Sequence, residues 1–523
     1  MTQREDILRQ LGRQSNPWDV LVIGGGATGL GAAVEAASRG YRTLLVEGID
    51  FAKGTSSRST KLVHGGVRYL EQFNISLVLD ALRERGYMLR NAPHLVHDLS
   101  FVVPAYSHLS LPYYGLGLSL YERLSGRHSL GPSMFLSRER TAELLPHIVR
   151  DGLRGGILYH DGQFDDARYA ISLVRTLQDL GGTAINYLRV VGLLHRQTRI
   201  IGVEVQDAES SDRFSIESKV VVNATGIHAE NILGMDGNLK GPLLTVSQGT
   251  HFVLSADFLG GKTALMIPKT ADGRVLFAIP WHGSTIVGTT DEPIAHGSYE
   301  PRALHIEKKF LLEHIARYFG RRPAPSEILS IWSGQRPLVR NGNRASSKLS
   351  RDHKILVSSS GLITITGGKW TTYRLMGQDT IDRAAAVASL HPRPSITANL
   401  KLHGWSDSSG KYSPEWEDIY GSDLPLLRTL SNEDPSLDQL LHPRLPYRLR
   451  DVVWAARYEL ARTIEDVLAR RTNALFLDAR AAIEAAPVVA NILARELNRS
   501  ASSSEADLSS FLSNARGYIY AES

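Results

Sequence analysis

The 523-residue sequence contains no cysteine. That removes disulfide bridges, thiolate nucleophiles, zinc–thiolate sites and iron–sulfur ligation together. Long apolar runs are missing as well. No stretch reaches the roughly 18 apolar residues of a membrane-spanning helix, so none is expected. The start, MTQREDILRQLGRQSNPWD, is polar and charged, without the apolar segment of a signal peptide. The 18 histidines form no HExxH or similar cluster, so no metal is expected. There is no GxSxG elbow and no carboxylate pair with glycosidase-like support. Charge of one sign is scarce: 59 Lys and Arg face 54 Asp and Glu, a formal +5. So mild a surplus suits an anionic substrate, an anionic cofactor or an anionic membrane face. It does not argue for nucleic acid, and no motif combining basic and stacking residues is present, so no nucleic-acid partner is expected.

What is there is ordinary for a globular enzyme: 42% hydrophobic and 22% charged residues, in a chain long enough for two or three domains. Residues 1–17 have the look of a short amphipathic helix or arm. DVLVIGGG is a buried-strand run ended by glycines, ATGLGAAVEAASRG a helix, and YRTLLVEG a second buried strand. This is the βαβ unit of a parallel sheet. A Gly/Ser/Thr-rich loop, 51–70, precedes a helix over about 74–91. Segment 111–124, LPYYGLGLSLYERL, is apolar and aromatic, with Leu116, Leu120 and Leu124 at helical spacing. A helix is expected from Asp165 or Asp166 to about 180, followed by two strands and then by the buried strand SKVVVNATG. Alternating stretches from about 245 to 345 predict an antiparallel sheet. After about 395 the pattern becomes helical. Asp451–Arg471 is expected as one amphipathic helix with Val453, Leu460, Ile464 and Val467 on one face. A further helix covers 478–497, where Pro487 is expected to kink or restart it, and SASSSEAD looks like a linker.

The fold class expected is α/β: a Rossmann-like dinucleotide-binding domain, an antiparallel-sheet substrate domain and a helical C-terminal domain. The first two share residues 15–395, with the dinucleotide part at about 15–100, 150–245 and 346–390 and the substrate part at about 101–149 and 246–345. The helical domain takes 396–523.

Gly24-Gly25-Gly26-Ala27-Thr28-Gly29 is a GxGxxG between strand and helix. Gly24 permits the tight turn, Gly26 lets backbone approach a pyrophosphate, and Gly29 lets helix pack on strand. The helix N-terminus then offers free N–H groups to the phosphates. Glu47 ends the second strand, where a carboxylate accepts hydrogen bonds from the ribose of the adenosine half and repels the 2′-phosphate of NADP. The late strand ending at Gly226 is what a cofactor lying extended across the sheet requires.

Three further strings carry a resemblance: TSSRSTKLVHGGVRYL at 55–70, SGQRPL at 333–338 and GGKWTTYR at 367–374. With the C-terminal VVWAARYELARTIEDVLARRTNALFLDARAAIEAAP, they resemble, in order, the FAD-dependent glycerol-3-phosphate dehydrogenase family. That family lies within the D-amino-acid-oxidase-like flavoproteins. The resemblance implies non-covalently bound FAD and oxidation of sn-glycerol 3-phosphate to dihydroxyacetone phosphate, with hydride passing from C2 to flavin N5. It also implies electron transfer to a membrane quinone, peripheral contact at the cytoplasmic face of the cell membrane, and a homodimer. The residues it points to at the cofactor are Gly24, Gly26, Ala27, Thr28, Gly29, Glu47, Thr55, Ser56, Ser59, Lys61, Leu62, His64, Gly65, Gly66, Val190, Gly226, Gly368, Lys369, Trp370 and Thr371.

Oxidation of a phosphorylated alcohol needs a cation for the phosphate and a base for the hydroxyl proton, with the carbon held over the flavin. Arg336 in SGQRPL is the first candidate for phosphate, because its planar fork bonds two oxygens at once. By resemblance Arg68 adds a second cation and Tyr69 a hydrogen bond. Lys369 follows two glycines at a helix start, where the helix dipole disfavours a cation, and it can stabilise negative charge on flavin or substrate. Arg374 and Arg351 are lesser candidates. His251 in QGTHFVL is the candidate base, its imidazole having a suitable ordinary pKa. Asp291 is a conceivable partner. The alternatives at this point are a glycerol-3-phosphate oxidase making peroxide, an amine or amino-acid oxidase of the same superfamily, and a non-catalytic flavin-binding protein.

Overall fold

The computed structural model describes residues 3–12, 16–66, 74–107, 109–237, 241–270, 273–340, 353–407 and 416–521. Arg68, Tyr69 and Arg351 lie outside them.

The βαβ unit is formed by the strand Trp18–Ile23, the helix Ala27–Ser38 and the strand Thr43–Val46. The two strands pair in parallel, Val20 opposite Thr43 and Ile23 opposite Val46. Both faces of this sheet are covered, which is why DVLVI is apolar throughout: Val20, Leu21 and Val22 are wholly buried. The first strand also pairs in parallel with Arg213–Asn223, which pairs with Ile363–Gly367. Strands close in space thus come from positions far apart in the chain, and their C-terminal ends converge at one edge. The ligand crevice of an open α/β sheet lies at such an edge.

Two glycines bring the third motif there. A Cβ on Gly377 would lie 2.5 Å from the Gly31 carbonyl oxygen, and one on Gly31 would lie 2.6 Å from that of Tyr373. Only bare backbone lets the helices Ala27–Ser38 and Tyr373–Val387 cross so closely, and the crossing sets the GGKW turn beside the fingerprint.

A second sheet of ten strands is largely antiparallel. Its longest pairing joins Leu244–Ser255 to Ile328–Val339, with Ser247 opposite Arg336 and His251 opposite Trp332. The strands Leu62–Val63 and Gly155–Phe164 also pair in this sheet. Both fall within spans expected for the dinucleotide part, so the chain passes between the two sheets more often than its hydrophobic pattern suggests.

The C-terminal region is helical, with three departures from expectation. The helix expected over 451–471 stops at Tyr458, Leu460 takes a left-handed φ of +56°, and the chain resumes as a π-helix over Asp466–Arg471. The cause is charge. Glu459 is drawn inward by both Arg168 amino groups at 2.7 Å, and Asp466 caps the new start by accepting from the Arg462 and Thr463 N–H groups. SASSSEAD is not a linker but the start of the helix Ala501–Ala515, where the Ser500 hydroxyl accepts from Ser503 N–H and Phe511 and Ala515 are buried. The helix Ala479–Glu496 runs through Pro487 unbroken, its buried face of Ala482, Ala486, Val489 and Leu493 outweighing one lost hydrogen bond.

A candidate flavin and substrate site

A groove enclosing about 370 Å³ runs along the edge where the parallel strands end. Its floor is backbone. Gly24 has a φ of +108°, and a Cβ there would meet the Ala224 carbonyl oxygen at 2.7 Å. A Cβ on Gly29 would fall 1.9 Å from the Gly24 oxygen, so Gly29 is the packing glycine, set under the groove. Gly226, also left-handed at φ +58°, has open space where its Cβ would stand. The first helix has no side-chain cap at Gly26, and the Ala27 N–H meets only the Ser56 hydroxyl at 2.9 Å. Such a bare, dipole-positive floor fits a diphosphate, the central group of FAD.

Of the residues expected at the cofactor, Gly24, Gly26, Ala27, Thr28, Glu47, Thr55, Ser56, Val190, Gly226, Gly368, Lys369 and Trp370 line the groove. The others brace it. The Ser59 hydroxyl donates to Asp166 at 2.7 Å, and Lys61, wholly buried with a φ of +61°, pairs with the same carboxylate at 2.6 Å and donates to the Ser57 carbonyl. Leu62 lies in the antiparallel sheet. His64 and Thr371 meet through backbone N–H and hydroxyl, the Gly65 N–H donates to the Tyr121 hydroxyl, and Gly66 turns at φ +78°. Trp370 donates its indole N–H to the Ser56 carbonyl at 2.8 Å, tying the third motif to the first loop.

Glu47 has a second task beside the expected one. Its two oxygens accept from the Gly25 and Ile49 N–H groups at 2.7 and 2.8 Å, so the carboxylate shapes the turn. Each oxygen retains a second acceptor position for a ribose hydroxyl. Lining residues missed from the sequence include Lys53, Arg189, Thr225, His228 and Tyr299. Thr225 stands within the NATG string that closes a buried strand and was within reach. Tyr299, in a loop of the other sheet, carries no local signal.

Beside the groove, the antiparallel pairing aligns the candidate catalytic groups. His251 is buried and stacks on Trp332, ring centroids 4.2 Å apart. A Cβ on Gly288, in the neighbouring strand, would lie 2.3 Å from its ring. The imidazole Nε2 meets the Thr60 hydroxyl at 2.9 Å, while Nδ1 has no hydrogen-bond partner among the described residues. Burial, with the Arg336 and Lys61 charges, holds this imidazole well below its ordinary pKa, so it is neutral near pH 7. Arg336 extends past Gly249, donates to the Thr289 hydroxyl at 3.0 Å and pairs with Asp291 at 3.4 Å. Asp291 is thus the partner of the arginine, not of the histidine. Lys369 sits on the groove wall after Gly367 and Gly368, both left-handed at φ +80° and +76°. Arg374 is not brought into the site: it is buried in a two-pronged pair with Glu84 at 2.7 and 2.8 Å.

Comparison with known proteins agrees with this geometry. Residues 19–374 match the family described as FAD dependent oxidoreductase, and residues 373–504 match the C-terminal domain of alpha-glycerophosphate oxidase. A probable mitochondrial glycerol-3-phosphate dehydrogenase of Caenorhabditis elegans is 38% identical over 97% of this chain and 74% of its own. The mitochondrial glycerol-3-phosphate dehydrogenase of Rattus norvegicus is 37% identical over 93% and 71%. A glycerol-3-phosphate dehydrogenase from Bacillus halodurans, solved with FAD, superposes with a TM-score of 0.81 at 26% identity, covering 99% of this chain and 98% of that one. A glycine oxidase from Geobacillus kaustophilus, at 19% identity and a TM-score of 0.52 over 74% of this chain, shares the fold. With the fingerprint, the glycine floor and both family matches in register along one chain, this protein belongs to the FAD-dependent glycerol-3-phosphate dehydrogenase family, within the FAD dependent oxidoreductases.

Proposed function

We propose that the protein oxidises sn-glycerol 3-phosphate to dihydroxyacetone phosphate and hands the electrons to a membrane quinone. The observation that carries this reading is the relation to dehydrogenases named for that substrate, 37% identical over 93% of the chain. The site chemistry agrees with it. Bound FAD supplies the two-electron acceptor for the hydride that leaves the carbinol carbon. Arg336, steadied by Asp291 and Thr289, grips the phosphate with its planar fork. His251, neutral by burial, takes the hydroxyl proton in the tautomer whose Nε2–H donates to Thr60 and leaves Nδ1 as the acceptor. Lys369 sets a positive charge on the groove wall. Arg68 and Tyr69, outside the described residues, keep the substrate-binding roles that the resemblance implies.

The test is anaerobic addition of glycerol 3-phosphate to the holoenzyme, followed by flavin absorbance. Bleaching by glycerol 3-phosphate and not by amino acids is expected, and no bleaching sinks the proposal. Peroxide yield in air, set against reduction of a quinone analogue, separates dehydrogenase from oxidase. Arg336→Ala removes charge-assisted hydrogen bonds worth about 1.5–3 kcal/mol, so KM should rise at least about tenfold with FAD content unchanged. Loss of FAD from that variant would give Arg336 a structural role instead.

Peripheral membrane contact at the cytoplasmic face belongs to the same reading. What supports it is the helix Ser110–Ser125, whose Tyr113, Leu116 and Leu120 stand exposed, Leu116 at 75%, beside the exposed Phe135. So much bare apolar surface is uncommon on a helix facing water. Among the described residues no helix is long and apolar enough to cross a membrane. Leu116→Glu with Leu120→Glu should abolish co-sedimentation with anionic vesicles while leaving turnover of a soluble acceptor unchanged. Sedimentation of the detergent-dispersed holoenzyme tests the homodimer.

A further inference from the structure

Near the last described residues the chain returns to Glu300, in the loop that borders the flavin groove. Tyr518 lies beyond residue 504, where the second family match ends, and is buried. Its hydroxyl donates to Glu300 Oε1 at 2.5 Å. Its ring is flanked by the guanidinium groups of Arg58 at 5.7 Å and Arg302 at 5.4 Å. Burial pushes the phenol far above its ordinary range, so the hydroxyl keeps its proton and remains a donor. Glu300 also accepts from Lys53 at 2.6 Å and from Arg58 at 3.0 Å. Burial opposes its ionisation, but the charges of Arg58 and Lys53 hold its carboxyl well below the usual carboxylate range.

This cluster touches the groove at two points. Lys53 and Tyr299, the neighbour of Glu300, both line it. The Tyr299 ring stacks on His228, centroids 4.0 Å apart at 25°. His228 follows the strand Arg213–Asn223 of the parallel sheet, while Tyr299 follows Glu292–Ile294 of the antiparallel sheet, so the stacked pair joins the two walls. Ser298 is fixed from below, its N–H donating to Gln335 Oε1 at 2.8 Å.

We propose that residues 298–302 form a strap across the flavin groove, and that Tyr518 is a positioning residue which, through Glu300, holds the strap shut and so retains FAD. A residue otherwise remote from the fingerprint would then set the lifetime of the holoenzyme.

The test begins from holoenzyme and follows FAD release by the recovery of flavin fluorescence on dilution. Tyr518→Phe removes one hydroxyl and keeps the ring. Release should quicken by at least about tenfold, the effect of one hydrogen bond to a charged acceptor. Asp507→Asn is the control. Asp507 accepts from the Ile464 N–H and pairs with Arg499 on the same terminal segment, with no hydrogen bond or ion pair to Glu300 among the described residues. It should leave release unchanged. If Tyr518→Phe does not accumulate as folded protein, the half-exposed Tyr299→Ala carries the test and should quicken release to a similar degree. Where Tyr518→Phe does fold, adding Tyr299→Ala to it should quicken release little further, because both act through one strap. Release at the parent rate in Tyr518→Phe, or equal quickening in Asp507→Asn, overturns the proposal.

Discussion

Glu47 and Asp50 stand on the same turn after the strand Thr43–Val46, and the structure uses them in opposite ways. Glu47 faces the groove and binds two backbone N–H groups; burial raises its pKa. Asp50 faces the junction with the C-terminal helices, wholly buried. There it receives Arg470 at 2.5 Å, Arg471 at 2.6 and 2.9 Å, and the Asn186 amide at 3.0 Å. Burial opposes ionisation there too, yet the two arginines hold this carboxyl well below its usual range. The groove wall is built from backbone and few charges, which leaves it free to take a charged ligand. The junction is built from charged side chains paired with one another. One region is a receptor and the other a fastener, although a single turn supplies both.

If that division is right, the largest effect belongs to the fastener. Asp50→Ala leaves Arg470 and Arg471 buried with too little opposing charge. Removing one partner of a buried pair costs about 3–5 kcal/mol. Denaturant unfolding of the holoenzyme measures it, and a loss below about 1 kcal/mol would show the junction to be dispensable. The matched change on the receptor side is Gly26→Val. Gly26 has an extended backbone, φ −85° and ψ −179°, which valine adopts readily. A Cβ there would stand 3.1 Å from the Ser56 hydroxyl, with its methyls in the path of a diphosphate. Overpacking of about 1–3 kcal/mol should then fall on ligand affinity, weakening FAD binding up to about a hundredfold while apoprotein stability barely moves. Titration of apoprotein with FAD reads the first quantity and its unfolding curve the second. A variant that unfolds before it loses FAD would erase the contrast.

The receptor was far more legible in the sequence than the fastener, for a physical reason. Glycines at 24, 26 and 29 between apolar runs announce a backbone function, because little else tolerates that geometry. The GGKW turn was legible likewise, and a resemblance placed Arg336 and His251. Asp50, Arg470 and Arg471 carry no local signal. A buried pair depends on residues hundreds of positions apart, and each member alone is indistinguishable from a surface charge. The break at Glu459 was illegible for the same reason, since the apolar spacing of Val453, Leu460, Ile464 and Val467 continues across it. Ser500 could have been read as a cap, but a serine-rich string has too little apolar content to betray a helix whose packing residues, Leu508, Phe511, Leu512 and Ala515, come after it.

Two histidines sharpen the contrast at smaller scale. His251, beside the groove, is neutral: burial and the Arg336 and Lys61 charges hold its pKa well below the ordinary value of about 6.5. His403, at the junction, lies between Asp179 at 2.7 Å and Asp423 at 2.8 Å, one at each ring nitrogen. Both nitrogens must donate, so the ring there is an imidazolium. Burial and nearby Arg175 oppose that charge, and the two carboxylates outweigh them and raise its pKa. The signs of linkage therefore differ. Below pH 6.5 the unfolded chain takes up a proton at residue 251 that the folded chain refuses, so stability falls as the solution is acidified. The contribution of His403 is complete below pH 6.5 and is lost as pH rises through its raised value. Between pH 7 and pH 6 the loss due to His251 is roughly 0.7 kcal/mol, so His251→Asn should flatten the acid fall in unfolding free energy by that amount. His403→Asn should steepen it by a similar or smaller amount. Both slopes come from unfolding curves at a few pH values. If the two substitutions moved the slope in the same direction, the neutral groove and the charged junction would not be separate electrostatic environments.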